Sequence, residues 1–178
     1  DGDRAQFSAV GGSSLIILSN SVAATGVVFN GSAYTLVITN GGTLSNTLSY
    51  TRVGNNADRN RVEMHGGAKP VLWDQGAVDF VVGFTSISNE FILHGDGVPG
   101  SAILTNLNTT TTSVGRGAGS TRNRLVITNG GALFNAGIFT LGYTADRNDL
   151  IVSGEAPYSM EGMPPSISPM QDRAICCA

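Results

Sequence analysis

Charge is scarce in this chain. Charged residues make up 13% of its 178 residues, and the formal net charge is -3. Lysine occurs once, as Lys69, and the arginines form no basic run. Because nucleic-acid binding depends on clustered positive charge, we expect no nucleic-acid partner. No apolar segment approaches the roughly 18 residues that a membrane-spanning helix needs, so we also expect no transmembrane segment.

Cysteine is almost absent. The chain has two cysteines, Cys176 and Cys177, which are adjacent. Adjacent cysteines rarely bond to each other because the ring that they would close is strained. We therefore expect no disulfide framework within the chain. Two interpretations stay open for the pair, namely free thiols or disulfide links to a neighbouring subunit.

What the chain does contain is a repeat. Four segments begin with Asn and a charged residue, run through a short apolar stretch, and end at Gly followed by Gly, Asp or Glu. They are NRVEMHGG, NEFILHGD, NRLVITNGG and NDLIVSGE, which start at Asn60, Asn89, Asn123 and Asn148. A glycine landmark precedes each segment, and the landmarks are Gly54, Gly83, Gly115 and Gly142. Recurrence at this period indicates a solenoid or an array, and we count about six units with degenerate first and last copies.

The apolar stretches favour strands over helices. Gly, Asn, Thr and Ser interrupt every window in which a helical period could develop. The second and fourth residues after each Asn are apolar, and this alternation places them on one face of a strand. In a weaker copy that precedes these four, Tyr34 or Thr35 takes the place of the Asn. The inward residues are Leu36, Ile38, Val62, Met64, Phe91, Leu93, Leu125, Ile127, Leu150 and Val152.

Two architectures suit short strands in units of this length, a parallel β-helix and an array of antiparallel hairpins. The β-helix is favoured because its equivalent residues must stack from coil to coil, so that the same residue types recur at the same corners. We attribute the corner Asn and Gly residues to their tolerance of left-handed backbone conformations. The sequence therefore predicts an all-β parallel β-helix of about six coils over residues 1–156. An irregular tail, rich in Pro and Met, is predicted over residues 157–178.

Three stretches carry a family resemblance. They are LVITNGGTLSN, VGNNADRNRVEMHGGA and RLVITNGGALFNAGIFTLGYTADRNDLIVSGEA, and together they fall between Thr35 and Ala156. Their Val-Gly turn, Asn, apolar strand and Gly-Gly corner resemble the autotransporter-associated β-strand repeats of large secreted bacterial surface proteins. The resemblance implies a right-handed parallel β-helix, an extracellular location, and a scaffolding or adhesive role.

No group of residues predicts a catalytic, cofactor or metal site. His65 and His94 hold the same place in consecutive repeats, and we interpret them as a polar corner position equivalent to Asn40, Asn129 and Ser153 rather than as metal ligands. Asp58 and Asp146 lie in matching ADRN segments beside Arg59 and Arg147. Three coils separate these two carboxylates, too far for the acid pair of a glycosidase, so we expect ordinary Asp–Arg pairing there.

One outward position breaks the alternation of apolar and polar residues. It lies between the two inward positions and reads Val37, Glu63, Ile92, Val126 and Ile151. Stacking would align these side chains into an apolar stripe, and contiguous apolar surface marks an interface. Two covers are considered: the tail from Pro157 onward, in cis or in trans, which is favoured, and lateral packing of another subunit.

We therefore expect a secreted, non-enzymatic structural protein that self-associates end to end into a fibre, filament or surface layer. The residues expected to mediate self-association are Val37, Ile92, Val126, Ile151, Met160, Met163, Cys176 and Cys177. The alternative is a carbohydrate-binding adhesin module that contacts surface polysaccharide through Tyr50, Trp73 and Tyr143. A polysaccharide lyase ranks last because no acidic cluster emerges.

Overall fold

The computed structural model of the chain describes residues 4–7, 14–24, 26–46, 49–75, 79–106, 111–154, 158–160, 166–167 and 173–177. Side chains are described only between residues 14 and 154. The first ten strands are β1 (Arg4–Phe7), β2 (Ser14–Leu18), β3 (Ser21–Ala24), β4 (Gly26–Phe29), β5 (Tyr34–Ile38), β6 (Thr43–Asn46), β7 (Thr51–Asn55), β8 (Arg61–His65), β9 (Val71–Gln75) and β10 (Phe80–Phe84). The next ten are β11 (Glu90–His94), β12 (Ala102–Asn106), β13 (Thr112–Arg116), β14 (Arg124–Thr128), β15 (Gly131–Asn135), β16 (Phe139–Tyr143), β17 (Asp149–Ser153), β18 (Tyr158–Met160), β19 (Ser166–Ile167) and β20 (Arg173–Cys177).

These strands form three parallel sheets. Sheet A has the order β1-β4-β7-β10-β13-β16-β19, sheet B the order β2-β5-β8-β11-β14-β17-β20, and sheet C the order β18-β15-β12-β9-β6-β3. Each described pairing joins a strand to the one three places further along the chain. The chain therefore winds as a β-solenoid with three strands per coil, six complete coils and two strands of a seventh. The predicted parallel β-helix is confirmed, and the hairpin array is wrong.

The core lies where the three sheets face one another. The inward side chains of sheet B are buried as predicted, and those of β8, β11 and β14 have no exposed surface. Trp73 of sheet C sits at the centre, 6.1 Å from the ring of Phe80 in sheet A and 5.4 Å from that of Phe91 in sheet B, measured between ring centroids. This aromatic group packs side chains from all three sheets against one another in the middle of the stack.

A column of buried amides runs along the corner that precedes sheet B. The side-chain oxygen of each column asparagine accepts the backbone N–H of the residue at the same position one coil earlier. These bonds run from Tyr34 to Asn60 (3.1 Å), Asn60 to Asn89 (2.9 Å), Asn89 to Asn123 (3.0 Å) and Asn123 to Asn148 (3.0 Å). We call these four asparagines the asparagine column. It fixes the register between neighbouring coils.

Three of the four landmark glycines lie against this column. Gly83 has a φ of +80°, and a Cβ placed there would overlap the side chain of Asn123 in the next coil. The same holds for Gly54 against Asn89 and Gly115 against Asn148. Each Val-Gly landmark is therefore the surface against which the next buried amide packs.

Left-handed backbone occurs beside the column asparagines rather than at them. None of the four has a positive φ, whereas the residue before each one does. These preceding residues are Arg59 (φ 59°), Ser88 (φ 58°), Arg122 (φ 59°) and Arg147 (φ 55°). The prediction that these asparagines serve left-handed corners was therefore wrong for this position. Their role is to hydrogen-bond the neighbouring coil.

The tail contributes strands to the solenoid. Over residues 157–178 the sequence predicts no repeat, yet β18, β19 and β20 pair in parallel with β15, β16 and β17. The predicted landmarks are missing from this region, but extended backbone of any sequence can add to a parallel edge.

No helix within the described ranges is long and apolar enough to cross a bilayer.

Candidate assembly surface

The outer face of sheet B presents three columns of side chains. The charged column follows each column asparagine and consists of Arg61, Glu90, Arg124 and Asp149. The apolar column lies two residues further on and consists of Ile17, Val37, Glu63, Ile92, Val126 and Ile151. The histidine column closes each strand with His65, His94, Thr128 and Ser153. The predicted stripe is thus present as an aligned row in the sheet.

The charged column alternates in sign. Arg61 pairs with Glu90 through nitrogen and oxygen atoms 2.7 Å apart, and Arg124 pairs with Asp149 at 3.2 Å. Partly exposed pairs of this kind contribute little to stability because solvent screens them. The sequence analysis noted a charged residue after each Asn but missed the alternation of sign, which was readable from the four repeats.

Glu63 interrupts the apolar column, and its neighbours neutralise it. Its carboxylate binds the guanidinium of Arg61 and lies 2.7 Å from Nε2 of His65. Partial burial alone would raise the pKa of the Glu63 carboxyl, but hydrogen bonds from His65 and Arg61 and their positive charges outweigh burial, so the pKa lies below its ordinary value. Glu63 is therefore a paired anion within an otherwise apolar row.

The two histidines stack as the repeat predicted. His65 and His94 are register partners, and their ring centroids are 5.7 Å apart. The equivalent residue in the next coil is Thr128, not Asn129, because the register runs one residue earlier than the sequence alignment assumed. Ser153 is correctly placed, and its hydroxyl donates to that of Thr128 at 3.1 Å. Among the residues that the structure describes, no three His, Cys, Asp or Glu side chains are grouped to hold a metal ion.

The tail residues expected to mediate self-association lie at the end of the stack or outside the described residues. Met160 pairs with Asn135 in sheet C, and Cys176 and Cys177 pair with Val152 and Ser153 in sheet B. Met163 is outside the described residues. Strand β20 therefore extends sheet B by one more strand along the stack and continues the apolar column instead of crossing it.

The first described coil forms the other end of the stack. Its strands β1, β2 and β3 pair only with β4, β5 and β6 among the described strands. Apolar side chains are prominent there, with Leu15 64% exposed, Ile17 63% and Val22 40%. Leu15 and Ile17 point outward from sheet B, because their neighbours Ile16 and Leu18 pack against the core. Exposed apolar residues on an outermost strand are typical of a surface that other chains cover.

Trp73 is not available to bind sugar, as the alternative function would require. Trp73 has no exposed surface, because it fills the centre of the core, so the prediction that it forms a platform for sugars was wrong. Tyr50 is half-buried and its ring lies 4.2 Å below the guanidinium carbon of Arg52. Tyr143 alone is open, at 59% exposure. A single exposed ring is a small surface for carbohydrate stacking.

The carboxylate of Asp58 hydrogen-bonds the backbone of the next coil. Oδ1 of Asp58 accepts the backbone N–H of Ile87 at 2.9 Å, so its partner is in the next coil rather than at Arg59. Asp146 lies in a parallel bridge with Thr121, which in turn bridges Ile87. This corner therefore links successive coils through backbone contacts. It brings no second carboxylate to Asp58.

A second amide column was missed from the sequence. It lies inside sheet C and consists of Asn46, Gln75, Asn106 and Asn135, which are all buried. Nδ2 of Asn46 donates to Oε1 of Gln75 at 3.0 Å, and Nδ2 of Asn106 donates to Oδ1 of Asn135 at 3.3 Å. We call it the sheet C amide column. A recurring amide at the end of each third strand was the available signal.

No family model matches the chain, and neither a curated protein nor a solved structure is similar enough to count as a match. The resemblance to autotransporter-associated repeats therefore stays a prediction.

Proposed function

We propose that this chain is an extracellular structural protein, a short β-solenoid subunit without enzymatic activity that self-assembles end to end into a fibre, filament or surface layer. The observation that carries the proposal is the first coil, whose strands pair on one side only among the strands that the structure describes and whose apolar side chains Leu15, Ile17 and Val22 are exposed. Strands with an open edge are templates for the addition of another chain.

The uniform register of the sheets supports addition in one direction. Each strand of sheet B pairs residue for residue with the next, from β2 through to β20. A second copy placed on the stack would meet an edge of the same kind that every coil meets inside the molecule. Such a head-to-tail contact does not close on itself, so repetition gives a filament.

The edge can be blocked without disturbing the sheet. The carbonyl of Leu18 accepts the N–H of Thr39 in the following coil at 3.0 Å, so the groups of Ile17 point toward the free edge. Ile17→Pro removes an edge donor, which an edge strand tolerates. Ile17→Ala keeps the donor and is the matched control.

We expect negative-stain electron microscopy to show filaments of the unmodified protein that lengthen with concentration. Filaments should persist for Ile17→Ala and disappear for Ile17→Pro, with circular dichroism unchanged in both variants. Discrete monomers of the unmodified protein at high concentration would overturn the proposal. If filaments persist after the proline substitution, the end-to-end contact does not use the edge of β2 at Ile17.

The carbohydrate-binding adhesin is retained as the alternative and rests on Tyr143, whose ring is exposed on the outer face of sheet A. Binding of a surface polysaccharide that Tyr143→Ala abolishes would favour it. The polysaccharide lyase ranks below both, because Asp58 and Asp146 lie in different coils.

A further inference from the structure

The charged column on sheet B reads positive, negative, positive, negative from Arg61 to Asp149, and Arg173 follows as the register partner of Asp149 in β20. When the order of the coils is reversed about the midpoint between β11 and β14, each of the four charges from Arg61 to Asp149 meets its opposite, and Arg173 meets the uncharged Thr35. We propose that the outer face of sheet B pairs with the same face of a second copy, with the two solenoid axes antiparallel. This lateral contact uses a different surface from the end-to-end contact and does not depend on it.

The pairing follows from symmetry. A two-fold axis in the interface and parallel to the strands reverses the order of the coils but keeps each column opposite its own counterpart. Arg61 then faces Asp149 of the second copy. Glu90 faces Arg124 of the second copy. Both contacts occur twice, so four pairs of opposite charge form across the interface, in addition to those within each chain.

The parallel arrangement is disfavoured on the same grounds. A two-fold axis along the solenoid places each coil opposite the identical coil, so that the apolar columns meet with Glu63 against Glu63. Like charges brought together at an interface are unfavourable. In the antiparallel arrangement Glu63 instead faces Ile151, and it keeps the pairs with Arg61 and His65 that neutralise it.

The apolar column supplies the centre of the contact. Ile92 of one copy faces Val126 of the other, and both are partly exposed in the single chain. The overlap is about 17 Å wide and 24 Å long, from five residues per strand and six strands, β5 to β20 of sheet B, spaced about 4.8 Å apart. Two such faces bury roughly 800 Å² together, below the roughly 1,000 Å² of a stable specific interface, so the dimer should be weak and transient.

Strand β20 continues this face and does not cover it. The cover that the sequence analysis favoured for the apolar column was the segment from Pro157 onward. Its last described strand, Arg173–Cys177, continues sheet B beyond β17 and places Ile175 at the next position of the apolar column. This strand therefore lengthens the surface that a second copy would meet.

Two pairs of substitutions test the charge pattern. In Arg124→Asp/Asp149→Arg, positions 61 and 149 carry like charges across the interface, and so do positions 90 and 124. In Arg61→Glu/Glu90→Arg, the same positions again carry like charges, but of opposite sign to those of the first variant. Each variant alone should dimerise about tenfold more weakly than the unmodified chain, or less.

The mixture provides the decisive measurement. When the two variants are combined in equal amounts, every facing pair is again of opposite sign, so we expect dimers to return in sedimentation velocity experiments. A misfolded variant could not be rescued in this way. Thermal melts of each variant confirm that the fold is intact.

Three results would overturn the proposal. They are an unmodified protein without lateral dimers at millimolar concentration, variants that associate as strongly as the unmodified chain, and a mixture that stays monomeric. Lateral pairing stops at two copies, whereas end-to-end addition continues, so sedimentation separates the two contacts. If filaments form, Arg124→Asp/Asp149→Arg should reduce them from double to single width, whereas Ile17→Pro should leave lateral dimers.

Discussion

The two buried amide columns use similar side chains for different purposes. In the asparagine column, each side-chain oxygen from Asn89 onward accepts both the backbone N–H and the side-chain N–H of the asparagine one coil earlier, as in the bonds from Asn60 to Asn89. In the sheet C amide column, the side chains hydrogen-bond one another, the carbonyls of Ser49 and Gly137, and the hydroxyls of Thr51 and Thr112. The first column positions the backbone, and the second cross-links groups that the backbone has already positioned.

This difference explains the composition of each column. An oxygen that must reach a backbone N–H in the preceding coil needs a side chain of one fixed length, and Asn occupies all four positions. Bonds between side chains accommodate a longer arm, and Gln75 is found in the sheet C column. In the asparagine column a glycine also lies against each amide from Asn89 onward.

The largest effect should come from filling the space that a column asparagine uses. Gly83→Ala imposes a left-handed φ on alanine and drives Cβ into Asn123. We expect a loss of about 4 kcal/mol of unfolding free energy, from backbone strain and overpacking combined. Urea denaturation of the variant and the unmodified chain measures this loss of unfolding free energy.

The matched control for this substitution is Gly119→Ala. Gly119 has nearly the same φ, +81°, but its Cβ would meet no atom within 4 Å. Only the strain of roughly 1–2 kcal/mol should remain. Equal losses for the two alanines would show that the contact with Asn123 is unimportant.

A smaller effect should separate the two columns directly. Asn89→Ala leaves both the backbone N–H and Nδ2 of Asn60 without the acceptor that they share, and we expect a loss of about 3 kcal/mol. Asn106→Ala in the sheet C column should cost only about 1 kcal/mol, because the hydroxyl of Thr112 still donates to Asn135 at 2.7 Å. Both losses are measured by urea denaturation. Equal losses would contradict the distinction between the columns.

The sequence predicted the solenoid because its repeat is periodic in the residues that must stack. The spacing of Gly54, Gly83 and Gly115 and the alternation after each Asn are direct consequences of coil geometry. A parallel stack repeats chemistry at one position in every coil, so a linear pattern is sufficient to reveal it.

Other features escaped prediction because they depend on contacts across sheets. Trp73 was interpreted as exposed, since nothing in the sequence of its strand shows that it meets Phe80 and Phe91 at the centre. The register error at Asn129 arose from a corner in which the number of residues varies between coils. Strand β20 lacks the repeat motif, and only its pairing with β17 reveals it.

The smallest effect is expected for Glu63, which lies on the outer face of sheet B and not in either of the two buried amide columns. The folded pKa of Glu63 lies below its value in the unfolded chain, about 4.3. The stabilisation is therefore fully present above that pH and is lost as the pH falls through the lowered folded value. Glu63→Gln removes the charge, and the loss at neutral pH should be under about 1 kcal/mol because solvent screens the pairs with Arg61 and His65. Thermal melts of both proteins between neutral and acidic pH should converge on acidification, because the protonated carboxyl of the unmodified chain then resembles the amide. If the difference in melting temperature between the two proteins instead widened toward low pH, the Glu63 carboxylate would not stabilise the folded state.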